Sequence, residues 1–379
     1  MPGPLAGLVV TELAGLGPAP FCGMVLADLG AEVIKIDRIG GQTLPIGTIE
    51  NDVLNRGKQS ISVNLKDEAG IDVVLRTVAR SDTLIEGFRP GVAERLGVGP
   101  AESLARNPAL VYGRMTGWGQ AGPLAAMAGH DIDYVALSGA LHSIGPSEQP
   151  FPPLNLLGDF GGGGMLLALG VLAAIIHARA TGEGQVVDAA MVDGSALLMA
   201  SHHGYLADGW WRDERASNLL DGTAPFYSTY RAADGGHVAV GALEPQFFAE
   251  LLAGLGLAPD EVGPQNDREG WPEMRRVFAK QFGGRTRDEW AAHFEGTDAC
   301  VAPVLSMTEA PGHHHNRERG TFVEIDGVVQ PGPAPRFSVT PPGIGRAPTA
   351  PGNDTDRVAT AAGFNKEQIV KLRESGAIA

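Results

Sequence analysis

Three side chains in this sequence could carry protons near neutral pH. His130 stands in Gly129-His130-Asp131-Ile132-Asp133-Tyr134. Asp159 stands in Asn155-Leu156-Leu157-Gly158-Asp159-Phe160, ahead of the glycines Gly161 to Gly164. Glu244 follows later, in Gly241-Ala242-Leu243-Glu244-Pro245-Gln246-Phe247. A neutral imidazole and a carboxylate are the commonest proton carriers in this pH range. Set on opposite faces of one carbon, they could take a proton from one side and return it on the other. Each also has an ordinary alternative. A single His is more often structural, and an Asp before a glycine run is often only a helix N-cap.

A second group of residues could hold an anion. Arg38, Arg56, Lys58, Lys66, Arg89 and Arg95 fall in loops near the ends of early strand-like segments. In an open α/β sheet, ligands bind beyond the carboxyl ends of the strands. Cations gathered at that edge would suit a polyphosphate; scattered solvated charge is the alternative. Gly15-x-Gly17 after a strand, with Asp37 about 20 residues on, half-matches a dinucleotide fingerprint. The third glycine is replaced by Pro20, and Pro18 and Pro20 remove two N–H donors from the turn, so a nicotinamide cofactor is disfavoured. His202-His203 and His313-His314-His315 lack partners at zinc-site spacing, so no metal is expected.

These residues need a scaffold, and the chain supplies one. It has 379 residues, 44 % hydrophobic and 19 % charged, with 53 glycines and 27 prolines, which fits a globular protein of two lobes. A net charge of −15 argues against a nucleic-acid surface. Cys22 and Cys300 form no metal or redox pattern, which fits a reducing, cytoplasmic setting. No signal peptide is read at the start, and Gly376-Ala377-Ile378-Ala379 is neither a peroxisomal nor an ER-retention signal. Phe160 to Ile176 runs 17 residues without a charge, the lower limit for a membrane span. Opened by glycines and closed by His177 and Arg179, it reads as a buried helix, so no membrane is expected as a partner.

Strand-like segments at Leu8–Leu13, Glu32–Asp37, Ile61–Leu65, Thr83–Phe88, Leu110–Met115 and Gln185–Ala189 alternate with helical ones. That alternation predicts an α/β fold: a large Rossmann-like domain with a parallel sheet, plus a smaller α+β domain. The expected boundaries are 1–207 for the large domain, 208–224 for a linker and 225–320 for the small domain. Residues 321–379 are expected to form a return strap and tail that complete the large domain.

Taken in order, a set of short motifs resembles the α-methylacyl-CoA racemases, a family within the class III (formyl-CoA-type) CoA-transferase superfamily. They are Ala14-Gly15-Leu16-Gly17-Pro18, Lys35-Ile36-Asp37-Arg38, Gly87-Phe88-Arg89-Pro90-Gly91-Val92, Arg114-Met115-Thr116-Gly117-Trp118-Gly119, Gly129-His130-Asp131-Ile132, Gly158-Asp159-Phe160-Gly161, Val187-Asp188-Ala189-Ala190-Met191, Gly241 to Phe247 and Asp298-Ala299-Cys300-Val301-Ala302-Pro303-Val304. They span nearly the whole chain. The resemblance implies an interlocked homodimer, each site built from the large domain of one copy and the small domain of the other. It implies His130 and Asp159 as the acid/base pair and Glu244 as their small-domain support. It places the CoA moiety of an acyl-CoA substrate at Arg38, Val63, Asn64, Leu65, Lys66, Gly87, Phe88, Arg89, Arg95, Gly129, Asp131, Ile132, Asp133 and Tyr134.

The implied reaction is interconversion of (2R)- and (2S)-2-methylacyl-CoA thioesters by 1,1-proton transfer through an enolate. CoA enters only as part of the substrate, and no other cofactor is expected. The enolate needs hydrogen-bond donors, and backbone N–H groups at a helix N-terminus are suitable. The glycines after Asp159 are expected to bring backbone close to the thioester and to open a helix pointing at it. A CoA transferase using Asp159 as covalent nucleophile is the alternative activity. A CoA-ester binding protein without catalysis is a third, which retention of His130, Asp159 and Glu244 together opposes.

Overall fold

The computed structural model describes residues 3–41 and 48–379. They pack as two units, one of Met1–Ala140, Pro153–Met199 and His315–Ala379, the other of Leu141–Pro152 and Ala200–His314.

The larger unit is built on six strands: β1 (Val9–Leu13), β2 (Glu32–Arg38), β3 (Gln59–Val63), β4 (Thr83–Glu86), β5 (Val111–Thr116) and β6 (Gln185–Ala190). All neighbours pair in parallel, in the order β3-β2-β1-β4-β5-β6. This is the doubly wound order, whose switch point lies between β1 and β4. Successive residues along a strand face opposite sides. Val33, Ile85 and Val111 therefore pack into one core with Leu26, Leu167 and Val171. Their neighbours Ile34, Leu84 and Tyr112 pack into the other, with Val73, Val78 and Ile369.

The helices of this unit are α1 (Pro18–Asp28), α2 (Glu68–Ala79), α3 (Val92–Arg95), α4 (Pro100–Arg106), α5 (Asp131–Leu137), α6 (Leu166–Thr181) and α7 (Met191–Leu198). Pro18 opens α1, where a missing N–H costs nothing. The Asp67 carboxylate caps α2 by accepting the Ala69 N–H at 2.8 Å. The strand β3 ends at Val63, two residues before the expected end. Beyond it, the Asn64 side chain accepts the Lys66 N–H at 3.1 Å and turns the chain into α2.

A π-helical turn, Leu156–Met165, runs directly into α6. The combined Leu156–Thr181 is long and apolar enough to cross a membrane by length and composition. Only one side of α6 is buried. Met165, Leu169 and Ile176 are 48 %, 66 % and 72 % exposed, so the helix is half-covered rather than fully buried as expected.

In the second unit, α8 (Ala200–Ala207) is followed by β7 (Tyr227–Arg231), β8 (His237–Gly241), α9 (Pro245–Leu255), α10 (Trp271–Phe282), α11 (Arg287–Phe294) and β9 (Val301–Pro303). The three strands form an antiparallel sheet over an aromatic core of Phe226, Tyr230, Phe248, Trp271, Phe278 and Phe282. The chain then passes through α12 (His314–Arg319), the hairpin β10 (Phe322–Ile325) and β11 (Val328–Pro331), α13 (Thr355–Ala361) and α14 (Lys366–Glu374). These last elements return to the larger unit. Arg346 ties the strap to the Lys58 carbonyl and to Asp354, which accepts the Ser60 N–H at 3.0 Å.

The borders differ from those read in the sequence. The stretch 208–224, expected as a linker, packs with the second unit, where Trp211 is buried against His202. The change of unit precedes α8, at Met199, and the return begins at His315. Residues 141–152 were not anticipated there. Arg215 holds them by donating to the carbonyls of His142, Pro146 and Ser147 at 2.7, 2.7 and 3.2 Å.

Candidate active site

His130 is the residue just before α5, extended at φ −133°, and exposed. Its N–H donates to the Asp133 carboxylate at 2.9 Å, which fixes where the helix starts. The next side chain, Asp131, is buried, and its Oδ1 accepts the Asp159 N–H at 2.7 Å. One hydrogen bond thus stitches the first residue of α5 to the π-helical turn and joins segments that the sequence holds 28 residues apart.

Asp159 is half-buried, and burial is the main reason its carboxyl holds its proton above the usual carboxylate range. The Asn155 amide, which donates to Oδ2 at 3.0 Å, opposes that rise. The Asp131 charge adds to it, and His130 lies close enough for its charge to oppose it. The wall facing the carboxyl is the turn between β1 and α1. Gly17 sits there at φ +66°, and a Cβ in its place would lie 3.3 Å from Asp159 Oδ2. The turn dismissed as a nucleotide fingerprint therefore flanks the candidate acid at the sheet's switch point.

The glycines do something other than expected. The helix opens at Leu156, before Asp159, and Gly162, Gly163 and Gly164 are buried inside it. A Cβ at Gly162 would lie 2.7 Å from the Ser195 nitrogen, and one at Gly164 would lie 2.6 Å from the Pro18 carbonyl oxygen. The run lets the π-helical turn close onto α7 and α1. Gly158 has the same character, since a Cβ there would lie 2.5 Å from Asp131 Oδ1.

Tyr134 is 6 % exposed, edge-on to Trp118 with ring centroids 4.7 Å apart. Its phenol is pushed up to about 12, by burial first and then by the charges of Asp159 and Asp133, against the pull of Arg89. Gly117 and Gly129 press against the same ring. Ile132 is 45 % exposed on the first turn of α5.

Arg38 ends β2, Lys66 and Arg89 follow β3 and β4, and because these strands are parallel all three lie at the same sheet edge. Arg95 ends α3 just beyond. All four are exposed, and none makes an ion pair among the described residues. Arg56 and Lys58 separate from this group. Arg56 is buried on Asp28 and donates to Gln330 at 2.8 Å; Lys58 is buried on Glu12 and donates to the Pro20 carbonyl at 2.9 Å. Burial pushes the Glu12 carboxyl up and the Lys58 ammonium down.

Val63 is fully buried and can offer a ligand only backbone. Asn64 and Leu65 are half-buried, and the Asn64 N–H donates to Ala377 at 2.9 Å. The Gly87–Arg89 turn is held from behind. The Phe88 N–H donates to Glu86 at 2.6 Å, and Arg114 bridges Glu86 at 3.0 Å and Glu94 at 2.8 Å.

Glu244 belongs to the second unit, exposed at the start of α9. The Gln265 amide donates to the carbonyls of Ala242 and Leu243 at 3.1 and 2.9 Å and fixes the turn that presents it. Of the histidine clusters, His202 lies edge-on to Trp211, and His313 stacks on His314.

Sequence reading assigned no part to Asn155, Glu86, Glu94 or Gln265. Asn155 stands one helical turn before Asp159, a spacing that can be read. Glu86 and Arg114 meet only because β4 and β5 pair, with those two residues in register.

The chain has counterparts among known proteins. Residues 5–355 match CoA-transferase family III. The chain belongs to that family. It is 49 % identical to the alpha-methylacyl-CoA racemase of Mus musculus over 373 residues, which is 97 % of this chain and 96 % of that one. It is 46 % identical to the alpha-methylacyl-CoA racemase of Homo sapiens over 372 residues, with the same coverage of each chain. The crystal structure of a CAIB/BAIF family protein from Brucella suis superposes with a TM-score of 0.83 over 96 % of this chain and 100 % of that one. At 24 % identity, that likeness is one of fold.

Proposed function

We infer that this chain is an isomerase that interconverts the (2R) and (2S) epimers of 2-methylacyl-CoA thioesters. The carrying observation is near-half identity along almost the whole chain to two proteins named for that reaction, with His130 and Asp159 joined through Asp131.

The proton α to a thioester is far less acidic than either base, so chemistry requires a base, an acid and stabilisation of the enolate. In one direction neutral His130 takes the α-proton and protonated Asp159 returns one to the opposite face. In the reverse direction the roles exchange. Burial, which pushes the Asp159 carboxyl upward, favours the acid role. The first N–H groups of α5, on Asp131 and Ile132, have no intrahelical acceptor and adjoin His130, so they are the nearest donors to an enolate oxygen. Losing one such donor typically costs about 3 kcal/mol in the transition state.

The unpaired Arg38, Lys66, Arg89 and Arg95 would hold the CoA phosphates, with the Gly87–Arg89 turn and Asn64–Leu65 beside them. The site needs no metal or cofactor beyond the CoA of the substrate itself. Glu244, from the second unit, would share the proton of the pair. A homodimer in which one copy's larger unit works with the other's second unit would supply it. The uncovered face of Leu169 and Ile176 on α6, with Met165 just before it, supports such an association, as does Val186 on the edge strand β6. We place the protein in the cytoplasm.

In a transferase, Asp159 would attack as a carboxylate. Burial, which disfavours the charged carboxylate, works against that, and His130 would have no part. The test is one epimer of a 2-methylacyl-CoA with no acceptor acid present, followed by chiral analysis. Loss of optical purity is expected. Retained configuration, with CoA moving to an added carboxylic acid, would establish the transferase instead.

A further inference from the structure

The Asp131 carboxyl combines features that ordinary packing does not explain. It is 8 % exposed, yet it is placed against another acid rather than a cation. Its Oδ1 accepts the Asp159 N–H at 2.7 Å, while Oδ2 is buried with no hydrogen-bond partner among the described residues. A buried carboxylate with an unpaired oxygen is costly to keep. Room for it exists only because position 158 is glycine, since a Cβ there would stand 2.5 Å from Oδ1. The bond reaches the backbone of the one residue whose side chain is the candidate acid, and it starts from the residue next to the candidate base.

Resting on the proposed epimerase reading, we propose that Asp131 is the positioning residue of the acid/base pair. Its carboxylate clamps the backbone of Asp159 to the start of α5 and sets a negative charge beside the neighbouring acid. The clamp fixes the separation of two groups that must address opposite faces of one carbon. An error of about 1 Å there costs on the order of a hundredfold in rate. The charge acts in the same sense as burial on Asp159. The other groups facing Asp159 are His130 and Tyr134 from α5 and Asn155 from its own turn; the facing residue of the β1–α1 turn, Gly17, carries no charge. The residues of α7 that pack on the turn, Met191, Gly194 and Ser195, carry none either.

Two variants separate the two effects. Asp131→Ala removes clamp and charge. Turnover should fall on the order of a hundredfold, with KM for the thioester within about threefold of wild type. Asp131→Asn keeps an oxygen that can accept the Asp159 N–H but removes the charge. Its turnover should fall less, and the limb of its pH–rate profile set by Asp159 should move to lower pH, because one cause holding the Asp159 proton is gone. Simple loosening of the fold would not move that limb downward. An Asp131→Asn profile superimposed on wild type, or wild-type turnover in Asp131→Ala, would overturn the inference. Should neither variant fold, the wild-type Asp159 amide decides by hydrogen exchange: slow exchange supports the clamp, and exchange at the rate of a free amide refutes it. If wild-type protein does not epimerise the thioester at all, the functional reading has failed, and the exchange result still stands on its own.

Discussion

Replacing Asn155 by Ala should change the pH dependence of the reaction more than its maximal rate. The Asn155 amide donates to Asp159 Oδ2 at 3.0 Å and favours the ionised carboxylate. A hydrogen bond to a charged group contributes about 1.5–3 kcal/mol when it is shielded. Asn155 is exposed and Asp159 only half-buried, so screening brings that to about 1 kcal/mol. This is roughly a fivefold change in the protonation equilibrium. The sign follows from the neighbours that remain. Without the amide, burial and the Asp131 charge act with less opposition, and Asp159 keeps its proton to higher pH. The limb of kcat/KM against pH set by Asp159 should therefore move upward, opposite to the shift expected for Asp131→Asn. Asn155 makes no capping hydrogen bond through its side chain, so the helix start should survive and thermal unfolding should change little. The assay is epimerisation of a single thioester epimer across the pH range, read by chiral analysis. If that limb stays in place, or moves down, the explanation of what holds the Asp159 proton is refuted.

Lys58→Met should destabilise the larger unit by about 3–5 kcal/mol, because Glu12 is left fully buried without its cation. Pairing it with Glu12→Gln should recover most of the loss, and chemical denaturation of the single and double variants checks both statements. Arg38→Ala should raise KM for the thioester several-fold and leave kcat nearly unchanged, since Arg38 is exposed at the carboxyl end of β2 with no ion pair to lose. An unchanged KM would remove it from the phosphate-binding group.

Much of this arrangement was legible in the chain because it is local. Six apolar segments alternating with helices give the parallel sheet, and Gly-His-Asp and Gly-Asp-Phe are contiguous motifs. What was not legible depends on pairing at a distance. Arg56 and Lys58 read as loop cations, but they turn inward because Asp28 and Glu12 are carried to them by α1 and β1. Asp131 was placed at the CoA contact by resemblance to the family, and only the packing of α5 on the π-helical turn shows its carboxyl directed at Asp159. The glycine run read as a ligand cradle. It serves close packing against Pro18 and Ser195, which lie on either side of it along the chain. The excursion of residues 141–152 into the second unit has no local signal, because Arg215, which holds it, lies some 70 positions downstream.

The central claim is that one of His130 and Asp159 removes the C2 proton while the other delivers a different, solvent-exchangeable proton to the opposite face. It is tested most directly in D₂O. A single epimer of a 2-methylacyl-CoA is incubated with the wild-type protein, with His130→Ala and with Asp159→Asn, and C2 is followed by NMR. The account predicts deuterium at C2 at the rate of epimer interconversion in the wild type, and a loss of several orders of magnitude in both variants while thioester binding persists. Epimerisation that leaves C2 fully protonated, or either variant turning over at the wild-type rate, would contradict it.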